Sequence, residues 1–396
     1  MRRLALLSSC LVALAVASAA GATASFEPAS VTFVSLARGW ALGTAPCGAH
    51  RCLALRETTD GGRSWTARPL APALLTAADR RFTGAAAQYA VASLNVRFAD
   101  PRDGWIYGGV PVAVRRSGST YYALRAVLWS THDDGGRWTA QRLHGLGSED
   151  SIYDLEAARG SAWLMASNAH QGVSVWSAAV GGDRWRVVSA PRLSFPAGGS
   201  QLSADFVLAD GAGWLVEGND RGTTGSARLV GGHWLRWTPP CAAVGHSFAV
   251  PAAPDARDLV AVCVMGGFAY PLSRSAPPGA KLGSSWLYLS ADGGASFRAG
   301  PELARNGFGA GAAAGGPIAS PVPSTILLGR IHGAARWQLI ASFDRGLHWS
   351  VVANGEPLFI GFTSPGQGVA IMRAANGITS MLMSYDGGRH WAPARF

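Results

Sequence analysis

Lysine is almost missing from this sequence: Lys281 is the single one in 396 residues. Arginine therefore carries nearly all the positive charge, a bias that gene base composition also produces and that assigns no function by itself. Charged residues make up only 15% of the chain against 48% apolar residues, which excludes a disordered polymer and allows a large packed core. A P-loop, a dinucleotide fingerprint, a nucleophile elbow and a zinc-binding motif are all absent. Without them the sequence offers no motif for nucleotide, serine-hydrolase or zinc chemistry, and no metal or cofactor is expected.

What is present begins with a targeting segment. Arg2 and Arg3 precede an apolar stretch over 4–17, and Ala17-Ser18-Ala19 and Ala22-Thr23-Ala24 both fit an A-x-A cleavage site. Residues 1–24 read as an export signal and 25–396 as the folded domain. The apolar run is too short, and too rich in alanine at its end, to span a membrane. A lipoprotein box at Leu7-Ser8-Ser9-Cys10 is the competing reading, but it leaves few apolar residues before the cut. Removing two arginines from 34 basic residues leaves 32 against 24 acidic ones, a net charge of +8. That excess favours anionic partners such as cell-wall polymers, acidic glycans, phospholipid headgroups or nucleic acid, without choosing among them. A solvated basic surface accounts for it equally. Four cysteines remain after cleavage, and their local spacing in an exported chain predicts the disulfides Cys47–Cys52 and Cys241–Cys263. A metal site would need a companion His or acid cluster, which is lacking.

Self-similarity decides the fold. Thr58-Thr-Asp60-Gly-Gly62-Arg-Ser-Trp65 returns around Asp133 and Trp138, around Asp292 and Phe297, around Asp344 and Trp349, and around Asp386 and Trp391. Two degenerate copies, ending in Trp185 and Trp237, keep glycine and tryptophan but lack the aspartate. A second element precedes each copy, clearest as Phe33 to Gly39-Trp40 and Phe98 to Gly104-Trp105. Both elements count to seven. Within one unit the runs 94–99, 104–109, 123–131 and 137–142 are rich in β-branched and aromatic residues and separated by turn signals. The predicted fold is all-β: a seven-bladed β-propeller of four-stranded antiparallel blades.

The repeated octapeptide is the Asp box, and over 30–394 the chain resembles the Asp-box propellers. These include sialidases, sortilin-type receptors, xyloglucanase-like glycosidases and photosystem II assembly and stability factors. The pairing of a Gly-Trp element with the box looks most like the last group. The resemblance implies the fold but no single chemistry, since these families share the box and not a reaction.

An Asp in a tight loop accepts backbone N–H groups a few residues on, glycine supplies a positive-φ position, and the aromatic packs beneath. Repetition in every blade marks Asp60, Asp133, Asp292, Asp344 and Asp386, with Trp65, Trp138, Trp349 and Trp391, as structural. His348 and His390 sit at equivalent box positions and read as decoration. In a four-stranded meander the boxes share one face with the first-to-second turns, whereas long insertions fall on the other. Those insertions are 47–52, 67–93, 110–122, 141–151, 267–285 and 303–317. That face is the candidate ligand surface, carrying Arg80, Arg81, Phe82, Tyr89, Arg115, Arg116, Tyr121, Tyr122, Tyr270, Arg274 and Lys281.

A sialidase needs three converging arginines, yet Arg97 is the only arginine expected on an innermost strand, and no Arg-Ile-Pro motif occurs. A glycosidase needs two carboxylates across the scissile bond. Asp154 and Asp205 are the candidates, with Glu156 nearby. The sequence thus points to an exported, monomeric, non-enzymatic binding or scaffolding module for a glycan, anionic polymer or protein segment. A glycoside hydrolase or sialidase-like enzyme is the first alternative, and a structural cell-envelope assembly factor the second.

Overall fold

The computed structural model describes residues 26–48, 50–72, 74, 94–116, 119–146, 150–168, 172–188, 203–219, 222–243, 247–265, 285–303, 317–332 and 336–396. Alternation of apolar and polar side chains sets the inner strands. In Leu94–Phe98, residues Leu94, Val96 and Phe98 are buried while Asn95 and Arg97 are half-exposed. The second strands are apolar on both faces, as in Trp40-Ala41-Leu42, because blades pack on either side of them.

Seven four-stranded antiparallel sheets form, each from consecutive strands: blade 1 over 27–68, blade 2 over 94–141, blade 3 over 151–187, blade 4 over 203–236, blade 5 over 247–302, blade 6 over 318–354 and blade 7 over 356–393. The first strands of consecutive blades contact one another and surround the axis of the ring. A four-residue 3-10 turn, Pro240–Ala243, leads into blade 5. No helix among the described residues is long and apolar enough to cross a membrane.

The core lies between blades. Trp40, Leu42 and Leu55 of blade 1 pack with Leu94, Val96, Phe98 and Trp138 of blade 2, and the Trp40 and Phe98 rings stack at 3.8 Å. Phe98 also explains the Gly-Trp element. It pairs directly with Gly104, and a Cβ on Gly104 would sit 2.5 Å from the phenyl ring. Phe33 covers Gly39, and Phe362 covers Gly368, in the same way.

Both disulfides form. Cys47–Cys52 crosses the hairpin between the second and third strands of blade 1, and Cys241–Cys263 ties the 3-10 turn to the second strand of blade 5. One stretch differs from the sequence reading. Residues 110–122, expected as a loop, continue the strands Gly104–Arg116 and Ser119–Thr131 into a hairpin of 13 residues per arm.

Candidate functional site

The turn face is assembled from the repeated octapeptide. In blade 1, Thr58 Oγ1 accepts the Gly62 N–H at 2.8 Å and donates to Asp60 Oδ1 at 2.8 Å, and that oxygen also accepts the Ser64 N–H at 2.9 Å. The Trp65 indole N–H donates to Gly62 O at 3.2 Å and closes the loop from below. Asp133, Asp292, Asp344 and Asp386 make the equivalent bonds to Arg137, Ser296, His348 and His390 N–H groups at 2.7–3.0 Å. The Nδ1 atoms of His348 and His390 lie 2.6 and 2.5 Å from the same aspartates. The Ser64 hydroxyl and amide hold the Asp60 carboxyl down at about 2, and the His348 amide and ring do so for Asp344. These carboxylates are engaged by their own loops.

Near the axis a different set converges from three blades. Arg97, on the first strand of blade 2, pairs with Glu156 on the first strand of blade 3. Tyr107 OH donates to Asp154 Oδ1 at 3.0 Å, and the Leu155 N–H reaches the same oxygen at 2.8 Å. Tyr107 lies two residues beyond Trp105 and so shares its face of the second strand. Asp205, on the first strand of blade 4, has Oδ2 buried without a partner among the described residues. Burial, together with the charge of Asp154, pushes Asp205 up to about 7. Burial also raises Asp154, against the pull of Arg97, and raises the Tyr107 hydroxyl. Burial raises Glu156 to about 7 despite the opposing pull of Arg97. On the neighbouring strand Glu217 is fully buried, both carboxyl oxygens lack partners among the described residues, and burial lifts it to about 7. Chemically the first strands offer Asp205, which holds a proton near neutrality, one carboxylate bonded by a tyrosine and one guanidinium already paired with Glu156.

The structure brings Asp154 and Asp205 within electrostatic reach of each other. On the face opposite the repeat turns, Arg115 pairs with Thr120, Arg116 with Ser119, Val114 with Tyr121 and Ala113 with Tyr122, at the end of the long hairpin. Arg80, Arg81, Phe82, Tyr89, Tyr270, Arg274 and Lys281 lie outside the described residues. Sequence reasoning missed Tyr107 and Glu217. The register of the Gly-Trp element gave a signal for the first, whereas a lone acid inside Trp-Leu-Val-Glu217 gave none for the second.

Seven four-stranded blades around an axis define a seven-bladed β-propeller fold. No protein-family model matches the chain, and no curated protein does. Solved structures similar to it include YCF48 bound to D1 peptide, 18% identical with a TM-score of 0.51, covering 92% of this chain and 94% of that one. An ulvan lyase of polysaccharide lyase family PL25 is 12% identical with a TM-score of 0.55, covering 94% and 97%. The propeller domain of the Trilobed protease from Pyrococcus furiosus, 8% identical with a TM-score of 0.50, covers 94% and 98%. At these identities the likeness is one of fold alone.

Proposed function

We propose that this is an exported, non-enzymatic Asp-box propeller that holds a glycan, anionic polymer or protein segment on the face opposite the repeat turns. One observation carries the reading. The longest paired hairpin among the described residues, Gly104–Arg116 with Ser119–Thr131, extends on that face and bears Arg115, Arg116, Tyr121 and Tyr122 at its end. Arginine and tyrosine together suit acidic and ring-bearing ligands through charge-assisted bonds and stacking. The turn face, by contrast, engages its repeated carboxylates internally. Export rests on residues 1–24 and agrees with the two disulfides. The peptide held by YCF48 is in keeping with a protein segment as one class of ligand.

A second reading, a glycan-cleaving enzyme, draws on Asp205, whose buried oxygen is unpartnered beside Asp154. One experiment separates the two. The purified protein and an Arg115→Ala, Arg116→Ala double variant are applied to an array of glycans, anionic polymers and peptides. Selective binding that drops at least tenfold in the variant, with the ligand recovered intact, is the expected result. Binding unchanged by the variant, or removed merely by salt, overturns the reading. Recovery of cleaved glycan, with cleavage lost in Asp205→Asn, establishes the enzyme instead.

A further inference from the structure

Five repeat turns place a left-handed residue at the same point, directly after the motif aspartate. Its N–H donates to a carbonyl in the turn between the first and second strands of the same blade. Gly61, Gly293 and Gly387 occupy the position in blades 1, 5 and 7, at φ 76°, 68° and 76°. Blade 2 has Asp134 there (φ 67°) and blade 6 has Arg345 (φ 61°). A side chain strains this conformation, so each departure from glycine asks for a reason.

Asp134 has one. It reaches back to blade 1, where Arg38 and Arg68 approach its carboxylate at 2.5 and 2.7 Å. Both arginines also hold Glu57, at 2.9 and 3.1 Å, so four charged side chains fill the boundary between blades 1 and 2.

The boundary between blades 5 and 6 has the same backbone but inverted charges. Arg38 follows the carbonyl that receives the Gly61 N–H, and Asp258 follows the carbonyl that receives the Gly293 N–H. Asp258 therefore stands where Arg38 does, and Arg345 where Asp134 does. Counting from the motif, Leu289 replaces Glu57 and Gly300 replaces Arg68. The expected pair is not made: the side chains of Asp258, Arg298 and Arg345 have no hydrogen bond or ion pair with another described residue. Between them lies a cavity of about 370 Å³, lined also by Leu289 and Phe297. Phe297 is the one phenylalanine that closes an intact turn. Gly294 O takes the indole N–H of Trp237 from blade 4, at 2.8 Å, in place of a tryptophan from its own loop.

From this geometry we infer that the cavity is a binding site for a carboxylate-bearing sugar. Arg298 and Arg345 receive the carboxylate, Asp258 accepts sugar hydroxyls, and the apolar face of the pyranose lies against Phe297. Two cations against one anion favour an anionic ligand over a zwitterion. An ionised Asp258 only accepts hydrogen bonds, so it suits a polyol and repels inorganic phosphate. The volume falls within the range of small-molecule pockets. This site lies on the turn face, and its fate is independent of the hairpin on the opposite face.

The test is isothermal titration of the full-length protein with D-glucuronate, D-glucose, glycine and inorganic phosphate. Glucuronate is expected to bind at least tenfold more tightly than the other three. Arg345→Gly installs the residue that three other turns carry, so it is expected to keep or raise the melting temperature while weakening glucuronate at least tenfold. Asp258→Asn weakens it as well, and the Arg115→Ala, Arg116→Ala variant leaves it unchanged. Absence of glucuronate binding, equal binding by Arg345→Gly, or glycine or phosphate binding as tightly each overturns the assignment.

Discussion

Carboxyl groups in this molecule occupy two opposed environments. Those of the motif aspartates are held low by N–H donors, and those of Asp205 and Glu217 are pushed up by burial. The two act on stability with opposite sign. A depressed carboxyl such as Asp60, at about 2, stabilises the fold above its unfolded value of about 4, and that stability is lost as pH falls toward 2. Glu217, raised to about 7, binds its proton more tightly in the folded state, so the fold weakens as pH rises from about 4.5 through 7. Glu217→Gln is expected to stabilise the protein at pH 8 by on the order of 2–3 kcal/mol, with little effect at pH 4.5. Urea unfolding at the two pH values checks this, and an equal effect at both would show that charge burial is not the cause. At this scale the sequence was partly legible. Asp154 and Asp205 were recognisable from the period of two along inner strands. Glu217 was not, because whether an acid on a second strand meets a partner depends on the neighbouring blade. Arg345 becomes visible only when the five turns are aligned on the residue after the aspartate.

Among elements, the pairing of phenylalanine with glycine on the first two strands recurs in blades 1, 2 and 7. It explains why glycine opens the second strand there: the ring occupies the space a Cβ would need. Gly104→Ala is expected to cost about 1–3 kcal/mol by overpacking against Phe98, which also stacks on Trp40 across the blade boundary. The denaturant midpoint measures it, and a cost below a few tenths would mean that Phe98 moves freely. Strand count and order were legible from the repeat, but the long hairpin was not. Pro111 and the polar run 115–120 read as a loop, since proline is usually excluded from paired strands. Its backbone nevertheless sits opposite Leu124 within a continuous ladder.

At the scale of the whole molecule, each sheet among the described residues uses four strands consecutive in sequence, with no strand shared between blades 1 and 7. Side chains close it. Gln367 Nε2 donates to Leu36 O and Gly61 O at 2.9 and 3.2 Å, Tyr385 OH donates to Gly61 O at 2.9 Å, and Thr379 Oγ1 donates to Pro28 O at 2.8 Å. The rings of Phe26 and Phe396 meet at 4.6 Å. Gln367→Ala is expected to lower stability by about 1–2 kcal/mol, since it removes both Gln367 bonds across the seam while Gly61 O keeps the Tyr385 hydroxyl. Hydrogen exchange should quicken first in blades 1 and 7 and remain slow in blades 3 to 5, whereas uniform acceleration would mean that the seam opens only with global unfolding.

Because every described blade is contiguous and Phe26 adjoins Phe396, the order in which the blades are threaded is interchangeable. Joining these two residues by a short linker and recutting between any two blades leaves each sheet intact. A circular permutant can therefore present its termini at whichever blade junction a surface immobilisation or fusion requires, leaving both faces of the ring accessible.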